Sequence, residues 1–366
     1  MNLAIIFLCG FALLLRCGLG RAAGQAKATT GAVVVSTSAK SVISVKMVQP
    51  NIYSEPLVYA KLNAAYDQLD MIKNSNYSVI ILDPQESGLN HDQIMELRHG
   101  TNRTILAYVS IGIADTSKPY WRPQWTGGFF PDFVVQPQYT ELTPGHYWVQ
   151  FWKAYWQRML LRYIQEQVLS LGYSGLLLDN LDVYLRDTNP DIDEREEMIT
   201  FVQVIKEQAQ QFYKDTKIFV SNISELYSVD RFRKTVDGFL VENLWFEKDK
   251  NLLKENKTKV DQKLSILQQA QRDGKVIISL DYSTNDSDVC TFYEHCSLQK
   301  FFCAVTDQKW TSWPRICIPK TTTTVVQTLT TQKPSKGPYS NAGRRFFSLL
   351  NLTLGIVAVM CMLQWL

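Results

Sequence analysis

The stretch Gly175-Leu176-Leu177-Leu178-Asp179-Asn180-Leu181-Asp182 decides the fold. Its three consecutive leucines do not alternate with polar residues, so both faces of the segment are expected to be buried, as in a strand of a parallel sheet. The apolar run ends on the carboxylate of Asp179, and α/β sheets and barrels place their chemistry at the C-terminal ends of such strands. The alternative is a polar residue that only ends the strand or caps the next helix.

Seven further apolar runs alternate with helical patterns between residues 53 and 320. These predicted strands are Val58–Leu62, Val79–Leu82, Thr104–Val109, Ile218–Val220, Gly238–Val241, Val276–Leu280 and Phe301–Val305. Apolar residues recur every three or four positions in Gln150–Leu171 and Glu196–Phe212, which predicts amphipathic helices. Eight strands with intervening helices predict an α/β fold, the (β/α)8 TIM barrel. The rival is a doubly wound open sheet, but no Gly-x-Gly-x-x-Gly motif follows the first strand.

Most of these strands end in a polar or acidic residue. Six such residues are candidates for a common site: Asp83, Ser110, Asp179, Asn222, Glu242 and Asp281. In a barrel these strand ends converge on one face, and carboxylates that share a site perturb each other's protonation. One acid can then protonate while another acts as nucleophile or base. The alternative for any single position is a strand end that is simply solvated.

The long loop after the third strand, about residues 115–147, is rich in aromatic side chains. Aromatic faces pack against the C–H faces of sugar rings, and long loops over a site are more often functional than idle. We therefore predict that Tyr120 and Trp121 lie at a sugar-binding pocket. The alternative is a small satellite core beneath the loop.

Four segments together resemble glycoside hydrolase family 114: Ala107–Gly112, Tyr120-Trp121, Gly175–Asp182 and Val241–Asn243. Members of that family include endo-α-1,4-polygalactosaminidases built on a TIM barrel. The resemblance implies that Asp179 and Glu242 are the two catalytic carboxylates, with Asp179 as nucleophile or charge-stabilising group and Glu242 as acid/base. It also implies a substrate groove lined by Asp83, Tyr108, Ser110, Asn180, Asp182, Asn222, Asp281 and Tyr282. Such chemistry requires no metal and no cofactor.

One position departs from the family pattern. After Ser110-Ile111-Gly112 the family typically continues Glu-Ala-Glu, whereas this chain reads Ile113-Ala114-Asp115. A carboxylate that could hold a sugar or tune its neighbours is replaced by an isoleucine. This change predicts altered specificity or weakened catalysis.

Both ends of the chain are apolar. Residues 1–23 read as a secretory signal peptide, and residues 24–52 as a loosely ordered lead-in to the barrel at 53–320. Residues 321–345 form a Thr/Pro-rich stalk, and 346–366 a hydrophobic tail without following basic residues. This tail predicts a glycosylphosphatidylinositol anchor signal, with a membrane span as the alternative.

Composition agrees with a secreted globular body. The net charge of +3 is too small to indicate nucleic-acid binding. Four cysteines remain between the two ends, and an oxidising compartment favours two disulfides over a zinc site: Cys290, Cys296, Cys303 and Cys317. Connectivity stays open among three pairings. The candidate N-glycosylation sites are Asn76, Asn102, Asn256 and Asn285. A fifth sequon, at Asn222, is expected to be buried in the site instead.

The combined expectation is a surface-anchored glycoside hydrolase. Its predicted partner is a polysaccharide or oligosaccharide that contains amino sugars, cleaved at O-glycosidic bonds by two carboxylates. The alternative is a catalytically inactive carbohydrate-binding or adhesion protein on the same barrel. Retention of Asp179 and Glu242 favours the enzyme, whereas Ile113 favours the alternative.

Overall fold

The computed structural model describes residues 57–60, 63, 65–98, 103–126, 129–135, 144–186, 189–246 and 257–318. The predicted signal peptide, lead-in, stalk and hydrophobic tail lie outside these residues, as do the sequons at Asn102 and Asn256. Asn76 and Asn285 are exposed. Within the described ranges, no helix combines the length and apolar character that a bilayer crossing needs.

Eight parallel strands form a nearly closed barrel. They are β1 (Val58–Ala60), β2 (Val79–Leu82), β3 (Thr104–Ser110), β4 (Gly175–Asp179), β5 (Lys217–Ser221), β6 (Gly238–Glu242), β7 (Val276–Asp281) and β8 (Phe302–Val305). Each strand pairs with its neighbours in chain order. At the seam, the Leu57 N–H donates to the Cys303 carbonyl at 3.2 Å. This strand order excludes the doubly wound alternative, in which the order reverses at a switch point.

Seven helices follow the first seven strands. They are α1 (Leu69–Lys73), α2 (His91–Arg98), α3 (Ala154–Tyr163), α4 (Glu194–Phe212), α5 (Asp230–Thr235), α6 (Lys257–Arg272) and α7 (Asp286–Gln299). Helix α3 continues as a π turn, Ile164–Val168, and a 3-10 turn, Leu169–Leu171. The loop between β3 and α3 also contains a one-turn helix, Pro123–Thr126, and a two-stranded antiparallel ribbon, Ile113–Asp115 with His146–Trp148.

Strand residues alternate between two separate cores. One set points into the barrel, where leucines from four strands pack together: Leu106, Leu177, Leu240 and Leu280. The other set packs against the helices, which contribute Trp156, Phe201 and Phe292. Because both faces of every strand are covered, the strands read as nearly continuous apolar runs, as the opening stretch does.

The strand predictions were correct in number and close in their bounds. Strand β1 ends at Ala60 instead of Leu62, and β8 begins at Phe302 instead of Phe301. Four other strands extend one residue further at the C-terminal end than predicted, to Ser110 (β3), Ser221 (β5), Glu242 (β6) and Asp281 (β7). Helix α3 begins at Ala154, later than the predicted Gln150.

The four body cysteines form two disulfides, Cys290–Cys317 and Cys296–Cys303. The first ties α7 to the segment after β8, and the second ties the end of α7 to β8 itself. The structure thereby selects one of the three pairings that the sequence left open.

Gly175 provides a test of the close packing at the start of β4. A Cβ atom added there would lie 2.5 Å from the Lys217 carbonyl oxygen and 3.1 Å from Leu106 Cδ2. We expect Gly175→Ala to lower the free energy of unfolding by about 1–3 kcal/mol, measured by urea denaturation. As a control, Asp215→Ala should change it by less than about 0.5 kcal/mol, because Asp215 is exposed. An unchanged urea midpoint for Gly175→Ala would contradict this packing.

Candidate active site

The polar residues of the barrel mouth follow from strand alternation. Two residues beyond each interior leucine, the same strand again points inward. This rule puts four side chains above the leucine layer: Tyr108, Asp179, Glu242 and Tyr282. Both carboxylates are partly exposed, so a ligand entering the mouth can reach them.

Asp179, at the end of β4, is held by a tyrosine of the neighbouring strand. The Tyr108 hydroxyl donates to Asp179 Oδ2 at 2.6 Å. Burial, and then the charge of Asp179, raise the pKa of Tyr108 well above its usual value, so it stays a donor. Oδ1 of Asp179 accepts no hydrogen bond from the described residues. One carboxylate oxygen is therefore fixed and the other is available.

Glu242, at the end of β6, is held on both oxygens. Asn222 Nδ2 donates to Oε2 at 2.5 Å, and the Tyr282 hydroxyl donates to Oε1. The backbone N–H of Glu242 donates to Asn222 Oδ1 at 2.9 Å, which determines the orientation of the amide. Because Nδ2 can only donate, Oε2 must accept, and a proton on this carboxyl group resides on Oε1.

The surroundings of Glu242 favour its protonated form. Burial and, to a smaller extent, the negative charge of Asp179 together raise the pKa of Glu242 to about 7. The hydrogen bond from Asn222, the nearby indole N–H of Trp310 and the charge of Lys263 oppose the rise. A carboxylic acid that is still partly protonated near neutral pH can act as a general acid.

Trp310, which the sequence reasoning missed, links the two halves of the mouth. Its Nε1 donates to the Tyr282 hydroxyl at 2.7 Å, and its ring meets Tyr108 edge-on at 6.0 Å. The turn that carries it is secured by Asp307, whose Oδ1 accepts from the backbone N–H of Lys309 and Thr311. Trp310 has φ 51°, a conformation that costs energy and occurs often at functional sites.

Each of the three adjacent strands β4, β5 and β6 is followed by an asparagine in the left-handed backbone conformation. Asn180, Asn222 and Asn243 have φ values of 59°, 55° and 49°. Asparagine is one of the few non-glycine residues that tolerates this region. The sharp turn leaves the preceding side chain pointing into the mouth while the backbone turns away. The sequon asparagine Asn222 lies in the site, bonded to Glu242 as described above.

Two of the predicted site acids, Asp281 and Asp83, accept hydrogen bonds from the backbone of neighbouring loops. Asp281 is fully buried, and its oxygens accept from the backbone N–H of Leu244, Trp245 and Phe246. Burial raises its pKa to about 7, partly offset by those N–H donors. Asp83 is 4% exposed; its Oδ1 accepts from two backbone N–H groups and its Oδ2 from Lys118 Nζ at 2.6 Å. Neither has a carboxylate oxygen directed at the mouth without a partner.

The other predicted groove residues lie in three different environments. Asn180 Nδ2 donates to Ser110 Oγ at 2.9 Å, which joins the loops after β3 and β4. Asp182 is exposed on the 3-10 turn Leu181–Arg186. Tyr120 and Trp121 belong to an aromatic cluster under the β3 loop. Tyr120 meets Trp156 edge-on at 5.6 Å, and Trp121 stacks on Tyr147 at 5.2 Å.

Ile113 lies in the ribbon, where its side chain is 7% exposed. Its backbone carbonyl and N–H both bond to Ser110 Oγ, at 2.9 and 3.2 Å. The apolar residue that replaces the family's glutamate is therefore covered. Among the described residues, no group of three or more His, Cys, Asp and Glu side chains has the geometry to hold a metal ion.

Residues 46–322 match the family model of glycoside-hydrolase family GH114. The chain belongs to this family. An uncharacterised protein of Thermotoga maritima is 28% identical over 227 residues, 59% of this chain and 68% of that protein. Another, of Methanocaldococcus jannaschii, is 24% identical over 232 residues, 58% of this chain and 63% of that protein.

Among solved structures, the glycoside hydrolase domain of PelA from Pseudomonas aeruginosa is similar, with a TM-score of 0.55 and 15% identity. The match covers 71% of this chain and 98% of that domain. At this identity the likeness shows a shared fold.

The raised pKa of Glu242 makes stability depend on pH. Between about pH 4.5 and 7 the unfolded chain has released this proton and the folded chain retains it, so stability falls as pH rises. We expect Glu242→Gln to stabilise the protein by about 2–3 kcal/mol more at pH 8 than at pH 5, measured by urea denaturation. The contribution of Asp281 is common to both proteins and cancels.

Glu207→Gln serves as the matched control. Glu207 is exposed on α4 and accepts from Gln203 Nε2 at 2.8 Å, so its effect should be the same at both pH values. Equal effects of Glu242→Gln at pH 5 and pH 8 would show that Glu242 titrates normally.

Proposed function

We propose that this GH114 glycoside hydrolase cleaves O-glycosidic bonds of an amino-sugar-containing polysaccharide with Asp179 and Glu242. The observation that carries the proposal is the different way in which the two carboxylates are held. Glu242 has both oxygens occupied by donors and a pKa of about 7, while Asp179 has one oxygen bound to Tyr108 and the other available. Glycosidic cleavage needs this asymmetry, one acid and one carboxylate.

Glu242 is the proposed general acid. Its proton resides on Oε1, because Asn222 keeps Oε2 as an acceptor. In the protonated state, Oε1–H can be passed to the glycosidic oxygen as the bond to the anomeric carbon breaks. The carboxylate that remains is stabilised by the Tyr282 hydroxyl and by Asn222 Nδ2, and it can then accept a proton from the attacking water.

Asp179 is the proposed nucleophile or charge-stabilising carboxylate. Its Oδ1 faces the mouth without a partner among the described residues, so it can approach the positive charge that develops at the anomeric carbon. Tyr108 holds Oδ2 at 2.6 Å and thereby restricts rotation of the group. A carboxylate held in one orientation needs little reorganisation when that charge develops.

The proposed substrate class follows the resemblance to polygalactosaminidases. The extracellular, surface-anchored location stays a prediction from residues 1–23 and 346–366. The alternative of a silent carbohydrate-binding protein has one observation in its favour, the covered Ile113 at a position where the family carries an acid.

The direct test uses galactosamine-containing oligosaccharides with protein produced from the full-length sequence. We expect release of shorter products, and Asp179→Asn or Glu242→Gln should each lower kcat/KM by about 10²-fold or more, because each removes a group that acts on the reacting bond. Product formation is followed by chromatography, and binding by calorimetry.

Asp215→Asn and Glu207→Gln are the matched controls, since both residues are exposed and lie away from the mouth. They should retain the parent rate. Binding of these oligosaccharides without turnover, unaffected by Asp179→Asn and Glu242→Gln, would overturn the proposed hydrolysis and favour the silent binding protein.

A further inference from the structure

A second cavity lies on the flank of the barrel. It has a volume of about 490 Å³ and is bounded by Pro119, Tyr120 and Arg122 of the β3 loop and by one face of α3 with its π turn. None of its lining residues is an inward-facing residue of the barrel mouth. We call it the flank groove.

The flank groove carries an excess of positive charge. Three guanidinium groups line it, from Arg122, Arg158 and Arg162, against the single carboxylate of Glu166. Glu166 is paired with Arg162 at 2.9 Å. Arg158 has no hydrogen-bond or ion-pair partner in the part of the chain that the structure describes. The guanidinium carbon of Arg122 lies over the ring of Trp125, 5.5 Å from its centroid.

The arrangement of these arginines suits anions with paired oxygens. Arg158 and Arg162 are four residues apart and therefore neighbours on one face of α3. Arg122 lines the same groove from the β3 loop. A guanidinium group binds carboxylate, sulfate or phosphate through two parallel N–H donors, which an ammonium group cannot do. The groove therefore attracts a ligand with more than one negative group.

The remaining lining is aromatic and firmly held. Tyr120, Tyr155 and Tyr163 line the groove. The Tyr120 ring is 5.6 Å from that of Trp156 and 5.3 Å from that of Tyr163, both edge-on, and its hydroxyl accepts from the Asp115 N–H at 3.1 Å. A volume of about 490 Å³ is within the range of organic-ligand sites and far exceeds a single tetrahedral anion. Aromatic side chains with polar tips suit the mixed C–H and hydroxyl surface of a sugar.

The π turn is an independent sign of function. The π turn Ile164–Val168 follows α3 directly at the groove, and two of its residues, Glu166 and Gln167, line the groove. Such turns are rare, and they are found frequently at functional sites.

We propose that the flank groove binds an acidic oligosaccharide, one that carries carboxylate or sulfate groups. The ligand's anions pair with Arg122, Arg158 and Arg162, and its sugar rings pack against the tyrosines. A free amino sugar is cationic and would be repelled, so the flank groove is not an extension of the proposed catalytic mouth. It selects a different type of sugar residue and does not depend on the proposed hydrolysis.

The test is calorimetric binding of a galacturonic acid tetrasaccharide to protein produced from the full-length sequence. We expect salt-sensitive binding that is unchanged in Glu242→Gln. The double variant Arg158→Gln/Arg162→Gln should weaken it roughly tenfold or more, since two charge-assisted contacts are lost. The matched control Lys259→Gln/Arg272→Gln removes the same charge from the exposed face of α6 and should change affinity by less than about twofold. Equal melting temperatures establish that all variants are folded.

Three comparison ligands decide the chemical class. A neutral galactose tetrasaccharide and inorganic sulfate should each bind much more weakly, because one lacks the anions and the other lacks the rings. Tetraglutamate should also bind more weakly. Absence of galacturonate binding, binding insensitive to Arg158→Gln/Arg162→Gln, or equal binding of any comparison ligand would overturn the proposal. Loss of oligosaccharide hydrolysis with galacturonate binding retained would refute only the proposed function.

Discussion

The electrostatic relation between Asp179 and Glu242 is the constraint on which the site depends. Two carboxylates in one largely buried mouth cannot both ionise as readily as in water. The charge of Asp179 disfavours ionisation of Glu242, whereas the amide of Asn222 donates to Glu242 and favours it. Burial then keeps the proton on Glu242 up to about pH 7. The division of roles is a consequence of the surroundings, since the two groups are chemically alike.

Backbone geometry makes that asymmetry possible. The residues that follow Asp179, Ser221 and Glu242 are asparagines in the left-handed conformation. Each lets the chain leave the barrel sharply after its strand. Asn222 has a second role, because its amide connects the backbone of Glu242 to the carboxylate of the same residue. Trp310 completes the arrangement from the opposite side and contacts both tyrosines.

Much of this architecture could be predicted from local patterns. Eight apolar runs with polar ends are sufficient for the strand count, and strand alternation puts Leu177 and Asp179 on the same face and Leu280 and Asp281 on opposite faces. Sequence alone does not say which face of either strand is the inner one; the structure shows that Leu177 and Leu280 point inward. The family resemblance implied that Tyr108 and Tyr282 line the groove, but neither it nor the strand pattern predicted that they donate hydrogen bonds to Asp179 and Glu242.

The features that escaped prediction depend on contacts distant in sequence. Trp310 reaches the mouth from the segment after β8, and its left-handed backbone leaves no composition signal. The available sequence signal was a tryptophan three residues after Asp307, the acid that follows the end of β8. Trp121 stacks on Tyr147 within the aromatic cluster, whereas Tyr120 contacts Trp156 of the same cluster and also lines the flank groove. A list of aromatic residues in a loop does not separate these two positions. The disulfide pairing likewise depends on how α7 lies against β8.

The central claim is that Asp179 and Glu242 are coupled and that the proton resides on Glu242. The most direct measurement is a carbon-13 NMR titration of the Glu242 carboxyl group in the parent protein and in Asp179→Asn. We predict a pKa of about 7 in the parent and a lower value in the variant, because Asp179 raises it. A pKa near 4.5, the ordinary value for glutamate, in both proteins would contradict the account.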